Sequence, residues 1–125
     1  DFNPDSISEA IQAGPRLLTK GVAVPGLKDS SSFSRRAGIC LDKKGRIILF
    51  SQASGLSGIS LEELQRILLR PEIGCVDALN LDGGGSAQLY VSATRSGAED
   101  NAKELWIEGR DEVPVALALF AQEQQ

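Results

Sequence analysis

An α+β domain, with a mixed or antiparallel sheet and two helices, is the fold class this sequence predicts. Three observations point to it. Short apolar and β-branched segments recur between glycine-rich and polar turns. Two segments carry helix-capping residues, the second ahead of an amphipathic pattern. The 125 residues are 42% hydrophobic but only 5% aromatic, which suits one small domain with an aliphatic core.

Taken in order, Ser6 to Ala13 reads as a short helix, capped by Ser6 with Glu9 three residues on, and ended by Gly14-Pro15. Arg16 to Leu18 reads as a short strand, and Gly21 to Ser34 as a Gly/Pro/Ser-rich loop. Arg35 to Leu41 and Arg46 to Phe50 form a strand pair, turned by Asp42-Lys43-Lys44-Gly45 with glycine at a positive-φ position. The second helix runs from Leu61 to Leu69. Ser60 and Glu63 supply its capping box, Leu61, Leu64, Ile67 and Leu68 its apolar face, and Pro71 prevents its continuation. Val76 to Asp82 and Ser86 to Val91 are expected to be neighbouring strands joined by glycines. A polar loop, Ser92 to Lys103, a short strand, Leu105 to Glu108, and an apolar run of central-strand length, Val113 to Ala121, complete the chain.

Composition narrows the chemistry. A net charge of -4 with no basic face argues against nucleic acid as a partner, although a few arginines at one point can still hold a phosphate. The absence of histidine excludes Ser-His-Asp and Cys-His catalysis and histidine-based zinc sites. No apolar run reaches the roughly 18 residues of a membrane helix, and the acidic, polar start is no signal peptide. Cys40 and Cys75 make neither a disulfide framework nor a metal site. Buried free thiols are the first reading, and a single bridge is the alternative.

The most informative stretch is Asn80-Leu81-Asp82-Gly83-Gly84-Gly85-Ser86. Strict alternation would place Asn80 and Asp82 on one face, joined after the turn by Ser86, Gln88 and Tyr90, with Leu79, Leu81, Ala87, Leu89 and Val91 facing the core. Asp-Gly is also an ordinary turn pair, but a tight turn needs only one or two glycines. The third is better explained by close approach of an anion or a sugar to bare backbone.

This motif resembles the signature of the phosphodiester glycosidase family. AIQAGPRLL at Ala10 to Leu18, SRRAGICLDKKGRIIL at Ser34 to Leu49, SGISLEELQRIL at Ser57 to Leu68 and DEVPVALALF at Asp111 to Phe120 resemble family segments in the same order. Two features depart from the family pattern. Ala87 stands where a second hydroxyl is usual, and an Asn-Gly-aromatic motif carried by earlier strands is absent. The chain is therefore expected to be the C-terminal part of a longer domain, lacking N-terminal strands that a preceding segment or a second chain would supply.

The resemblance implies a hydrolase that cleaves the sugar C1–O bond of a sugar-1-phosphodiester of the N-acetylglucosamine type, in carbohydrate or exopolysaccharide metabolism. It also implies a periplasmic or secreted setting. A phosphodiester is a good leaving group, so stabilising its departing charge matters more than strong general-acid help. Arg16 and Arg36 match the family's arginines and are assigned to that charge, with a structural ion pair as the alternative for each. Asp82 is assigned to the developing positive charge at C1 or to water activation. Asn80, Gly83, Gly84, Gly85 and Ser86 are assigned to substrate binding. Asp111 or Glu112 is a second carboxylate candidate, against a plain solvated turn. No metal or cofactor is called for. The competing reading is a module that binds sugar phosphate or polysaccharide without cleaving it.

Overall fold

The computed structural model describes residues 3–27, 33–52, 58–92 and 104–120. At its centre five strands pair antiparallel in the order β2-β1-β5-β3-β4. They are β1 (Arg16–Thr19), β2 (Val22–Ala23), β3 (Arg36–Asp42), β4 (Ile47–Ser51) and β5 (Cys75–Gly83). The helix α1 (Leu61–Leu68) covers one face, and a separate ribbon pairs β6 (Leu89–Val91) with β7 (Leu105–Ile107).

Local chemistry accounts for the hairpin and the helix. The Gly45 amide donates to the Asp42 carbonyl, with Gly45 at φ +75. The buried Asp42 carboxylate accepts the Lys44 and Arg46 amides and the Arg46 guanidinium. These bonds, the Arg46 amide foremost, hold the Asp42 carboxyl below its ordinary range although burial opposes them. At α1, Ser60 and Glu63 exchange reciprocal capping bonds of 3.1 Å. Leu61, Leu64 and Leu68 pack on Leu17, Leu18, Cys40, Cys75 and Ala78. The buried Gln65 donates to the carbonyls of Leu17 and Val24, which ties the helix to β1.

Three register shifts set which side chains are buried. One extra residue in β1, Leu17, lets both Leu17 and Leu18 face inward. In β5 the extra residues opposite β3 are Val76 and Leu81. The first brings Cys75 back to the core, where it forms a disulfide with Cys40.

Several expectations are corrected. Among the described residues there is one α-helix, not two. The first segment forms only a 3₁₀ turn, Pro4–Ser6, and residues 7–15 have no regular structure. The Ser6 amide and hydroxyl both donate to the Asn3 carbonyl, so the intended cap is already engaged. Ile7 and Ile11 stay exposed, and a short helix with nothing to pack against is not stable alone. The closing run is not a strand over its described part, 113–120, because a strand exists only through a partner's ladder and none of the described strands pairs with it. The strands flanking the glycines are present but are not neighbours, since β6 pairs with β7. The cysteines are bridged rather than free, because strand pairing brings them together, Cys40 lying opposite Ala78 and Cys75 opposite Asp42. Part of the expected loop Gly21 to Ser34 is β2. Residues 28–32 of that loop, and 93–103 of the expected polar loop, lie outside the described residues.

Candidate functional site

The glycine turn lies at the end of β5, beside the start of β3. Arg36 is the register partner of Gly83, and the Gly84 amide donates 2.9 Å to the Arg35 carbonyl. Gly84 has φ +63 and opens a 3₁₀ turn, Gly84–Ser86, that carries the chain out of the sheet rather than into a hairpin. At Gly85 the Asp111 carboxylate lies in the space a Cβ would take. The Gly85 carbonyl accepts the amides of Arg110 and Asp111, which fastens that backbone beside the turn. Gly83 is confined by the Arg35 carbonyl and the Arg36 guanidinium, 3.0 and 3.4 Å from the position of a Cβ. The third glycine thus has a steric cause. Two of the three glycine amides are engaged within the chain, Gly83 with Asp82 Oδ1 at 2.7 Å and Gly84 with Arg35.

The residues picked out from the sequence divide into two groups. Arg36, Gly83, Gly84, Gly85 and Ser86 lie at the turn, and Asp82 leads into it but, opposite Ala37, leaves the sheet on the face away from Arg36. Arg36 Nε donates to the Ile59 carbonyl, which holds the guanidinium near Gly83. Asp82 is exposed, with one oxygen accepting its neighbour's amide. Arg16 and Asn80 are directed elsewhere. Arg16 pairs with Asp77 at 3.7 Å, on the stretch of β5 before the turn. Asn80 is 5% exposed and donates from Nδ2 to the Gly14 carbonyl, while its Oδ1 is buried without a partner.

The β5 bulge explains the separation of Asn80 from Asp82. Asn80 lies opposite Gly38 and Asp82 opposite Ala37, adjacent residues of β3 that face opposite sides of the sheet. One inserted residue, Leu81, therefore breaks the expected alternation.

Two further residues join the turn. Asp111 was weighed from the sequence and lies directly over Gly85. Arg35 donates 2.6 Å to the Glu108 carbonyl, so it links β3 to the segment after β7. The doublet Arg35-Arg36 in the sequence is the available signal for it. A separate cavity of about 360 Å³ lies between residues 23–27 and α1. Its charged lining residues, Glu62 and Arg66, are paired with each other at 2.8 Å.

Comparison with known proteins decides the family. The phosphodiester glycosidase profile matches residues 1–120. The chain belongs to the phosphodiester glycosidase family. Within it, the chain is 42% identical over 64 residues to the human (Homo sapiens) N-acetylglucosamine-1-phosphodiester alpha-N-acetylglucosaminidase, a match that covers 49% of this chain and 12% of the relative. It is also similar to the crystal structure of a hypothetical protein from Synechocystis, with 38% identity and a TM-score of 0.50 over 61% of this chain and 16% of the other. The chain thus spans a small part of both.

Proposed function

We propose that the chain carries the phosphate-binding and carboxylate part of a hydrolase site for a sugar-1-phosphodiester of the N-acetylglucosamine type. The supporting observation is that Arg36 and Asp111 both close on the triglycine turn, Arg36 beside Gly83 and Asp111 over Gly85, with Asp82 leading into it. Arg36 takes the phosphate and stabilises the charge that builds on the departing oxygen. Asp82 faces the anomeric carbon, and Asp111 is the second carboxylate, able to position water. Gly83 and Gly85 let the Arg36 guanidinium and the Asp111 carboxylate close onto the backbone, and Ser86 offers a hydroxyl beside them. Arg16 and Asn80 support the neighbouring strand ends in this arrangement. The Cys40–Cys75 bridge supports a periplasmic or secreted setting, since disulfides persist in oxidising compartments.

A second reading, a module that binds sugar phosphate or polysaccharide without turnover, draws support from the engagement of Arg16 and Asn80 away from the turn. Hydrolysis of an N-acetylglucosamine-1-phosphodiester by the purified chain separates the two. Asp82→Asn is expected to lower kcat by about 10²-fold or more with little change in binding. Arg36→Lys is expected to cost about tenfold, through loss of one charged hydrogen bond. Ligand binding with no turnover in the wild-type chain favours the module.

A further inference from the structure

Outside the glycine turn, the β6–β7 ribbon presents an arrangement that ordinary core packing does not explain. Its two faces differ. Leu89, Val91, Leu105 and Ile107 form one face, as two cross-strand pairs. The opposite face carries Tyr90 directly across from Trp106, 56% and 68% exposed. These are the only tyrosine and the only tryptophan in the chain. Alternation places Gln88 and Glu108 on one side of the aromatic pair, and Ser92 and Glu104 on the other. The Tyr90 hydroxyl donates 2.8 Å to Glu104, so the phenol is held in place at its polar tip while its ring stays in solvent.

We infer that the Tyr90–Trp106 pair is a stacking platform for an uncharged pyranose ring. A sugar ring has an apolar face of C–H groups and an equatorial rim of hydroxyls. An exposed aromatic pair rimmed by an amide and carboxylates matches both. The acidic rim disfavours a uronic acid or a second phosphate, which selects a neutral sugar. The ribbon is also continuous with the glycine turn. Gln88 packs against Gly109, whose Cβ position is 2.8 Å from the Gly85 carbonyl. Tyr90 follows Gln88 by two strand residues, about 7 Å, so the platform lies roughly one ring beyond the turn. It receives a neutral sugar unit of the same ligand whose phosphate meets Arg36. A cross-strand aromatic pair also stabilises a ribbon, but that role would be served equally with the rings buried.

The placement of the ligand rests on the sugar-phosphodiester reading; the binding itself is measurable without it. Emission from the single tryptophan reports on this one position. Titration of the 125-residue chain with cellotetraose and with N-acetylchitotetraose is expected to give, for at least one of them, a saturable change in emission and protection from acrylamide quenching. A tetragalacturonate should give neither. No saturable change with either neutral probe, or equal protection by the charged one, overturns the inference. By calorimetry, Trp106→Leu should weaken binding of the responding probe about tenfold, and Trp106→Phe should restore part of it. Unchanged affinity in a folded Trp106→Leu chain also overturns it, and if that variant does not fold, the wild-type quenching result decides. Asp82→Asn and Arg36→Lys should leave the tryptophan response intact. Hydrolysis without a tryptophan response removes the platform alone. A tryptophan response without hydrolysis removes the hydrolase reading and leaves the platform.

Discussion

Each glycine of the motif has its own cause, and the causes point to different consequences. At Gly84 the requirement is conformational, since φ +63 strains any residue with a Cβ. At Gly85 it is the Asp111 carboxylate lying where a Cβ would be. Asp111 is exposed and can swing away, so Gly85→Ala should leave the fold nearly unchanged while displacing the carboxylate. If Asp111 positions water, kcat should fall for Gly85→Ala and Asp111→Ala alike, and the double variant should be no worse than either. Additive losses in that cycle would show that the two residues act separately. The motif was legible in the sequence, because three successive glycines exceed the needs of a turn. The carboxylate was not, because residues 85 and 111 meet only through the ribbon that separates them. Asn80 was misplaced for a related reason. The sequence carries no mark of the bulge at Leu81, which arises from the pairing of β5 with β3.

Among the elements, those set by near neighbours were readable and those set by distant partners were not. The Asp42–Gly45 turn and the Ser60–Glu63 capping box each close within a few residues. Ser6 to Ala13 has a comparable capping pattern yet no surface to pack on, and residues 113–120 are an apolar run of strand length without a pairing partner among the described strands. The turn residue Asp42 gives a pH test. Its carboxyl is held below its ordinary value of 3.8, chiefly by the Arg46 amide. A lowered folded pKa stabilises the fold above the unfolded value, and that contribution is lost as the pH falls through the folded one. Thermal unfolding of Asp42→Asn should therefore occur below that of wild type at pH 7, with the gap narrowing below pH about 4. A gap independent of pH would mean that the charge of Asp42 contributes nothing. The Cys40–Cys75 bridge gives the second test at this scale. It spans a separation of 35 residues, for which the chain-entropy account gives about 4 kcal/mol. The double variant Cys40→Ala/Cys75→Ala should lower the urea midpoint accordingly, and wild type under reducing conditions should move toward it. An unchanged midpoint would show that the bridge does not constrain the unfolded chain.

At the scale of the whole molecule, the described residues cover the sheet on one side with helix and core, and leave apolar side chains exposed on the other. Helix α1 and the core cluster occupy the face of Cys40, Ile48, Phe50 and Ala78. Residues of alternate parity face the other way, and there Leu41 and Ile47 are cross-strand partners, 43% and 53% exposed. Ile39 and Leu49, the next pair along the same face, are half-buried. An apolar sheet face open to water is a surface on which association is favourable, at about 25 cal/mol per Å² removed from water. The modest net charge of -4 opposes contact between copies only weakly at physiological ionic strength. The chain is accordingly expected to self-associate, with a weight-average sedimentation coefficient that rises across the micromolar to millimolar range. Ile47→Lys places a charge at the centre of the exposed pair, on a strand with no partner on its outer side, where a long polar side chain is well tolerated. It should hold the chain monomeric over that range and leave the far-ultraviolet circular dichroism and the urea midpoint unchanged. Lys43→Glu, in the exposed β3–β4 turn beside that pair, alters charge without covering apolar surface, and should leave the association in place. Association that persists in Ile47→Lys at wild-type strength would place the contact on another surface. A monomeric wild type at all concentrations would show that the open face is too small or too flat to hold two copies together.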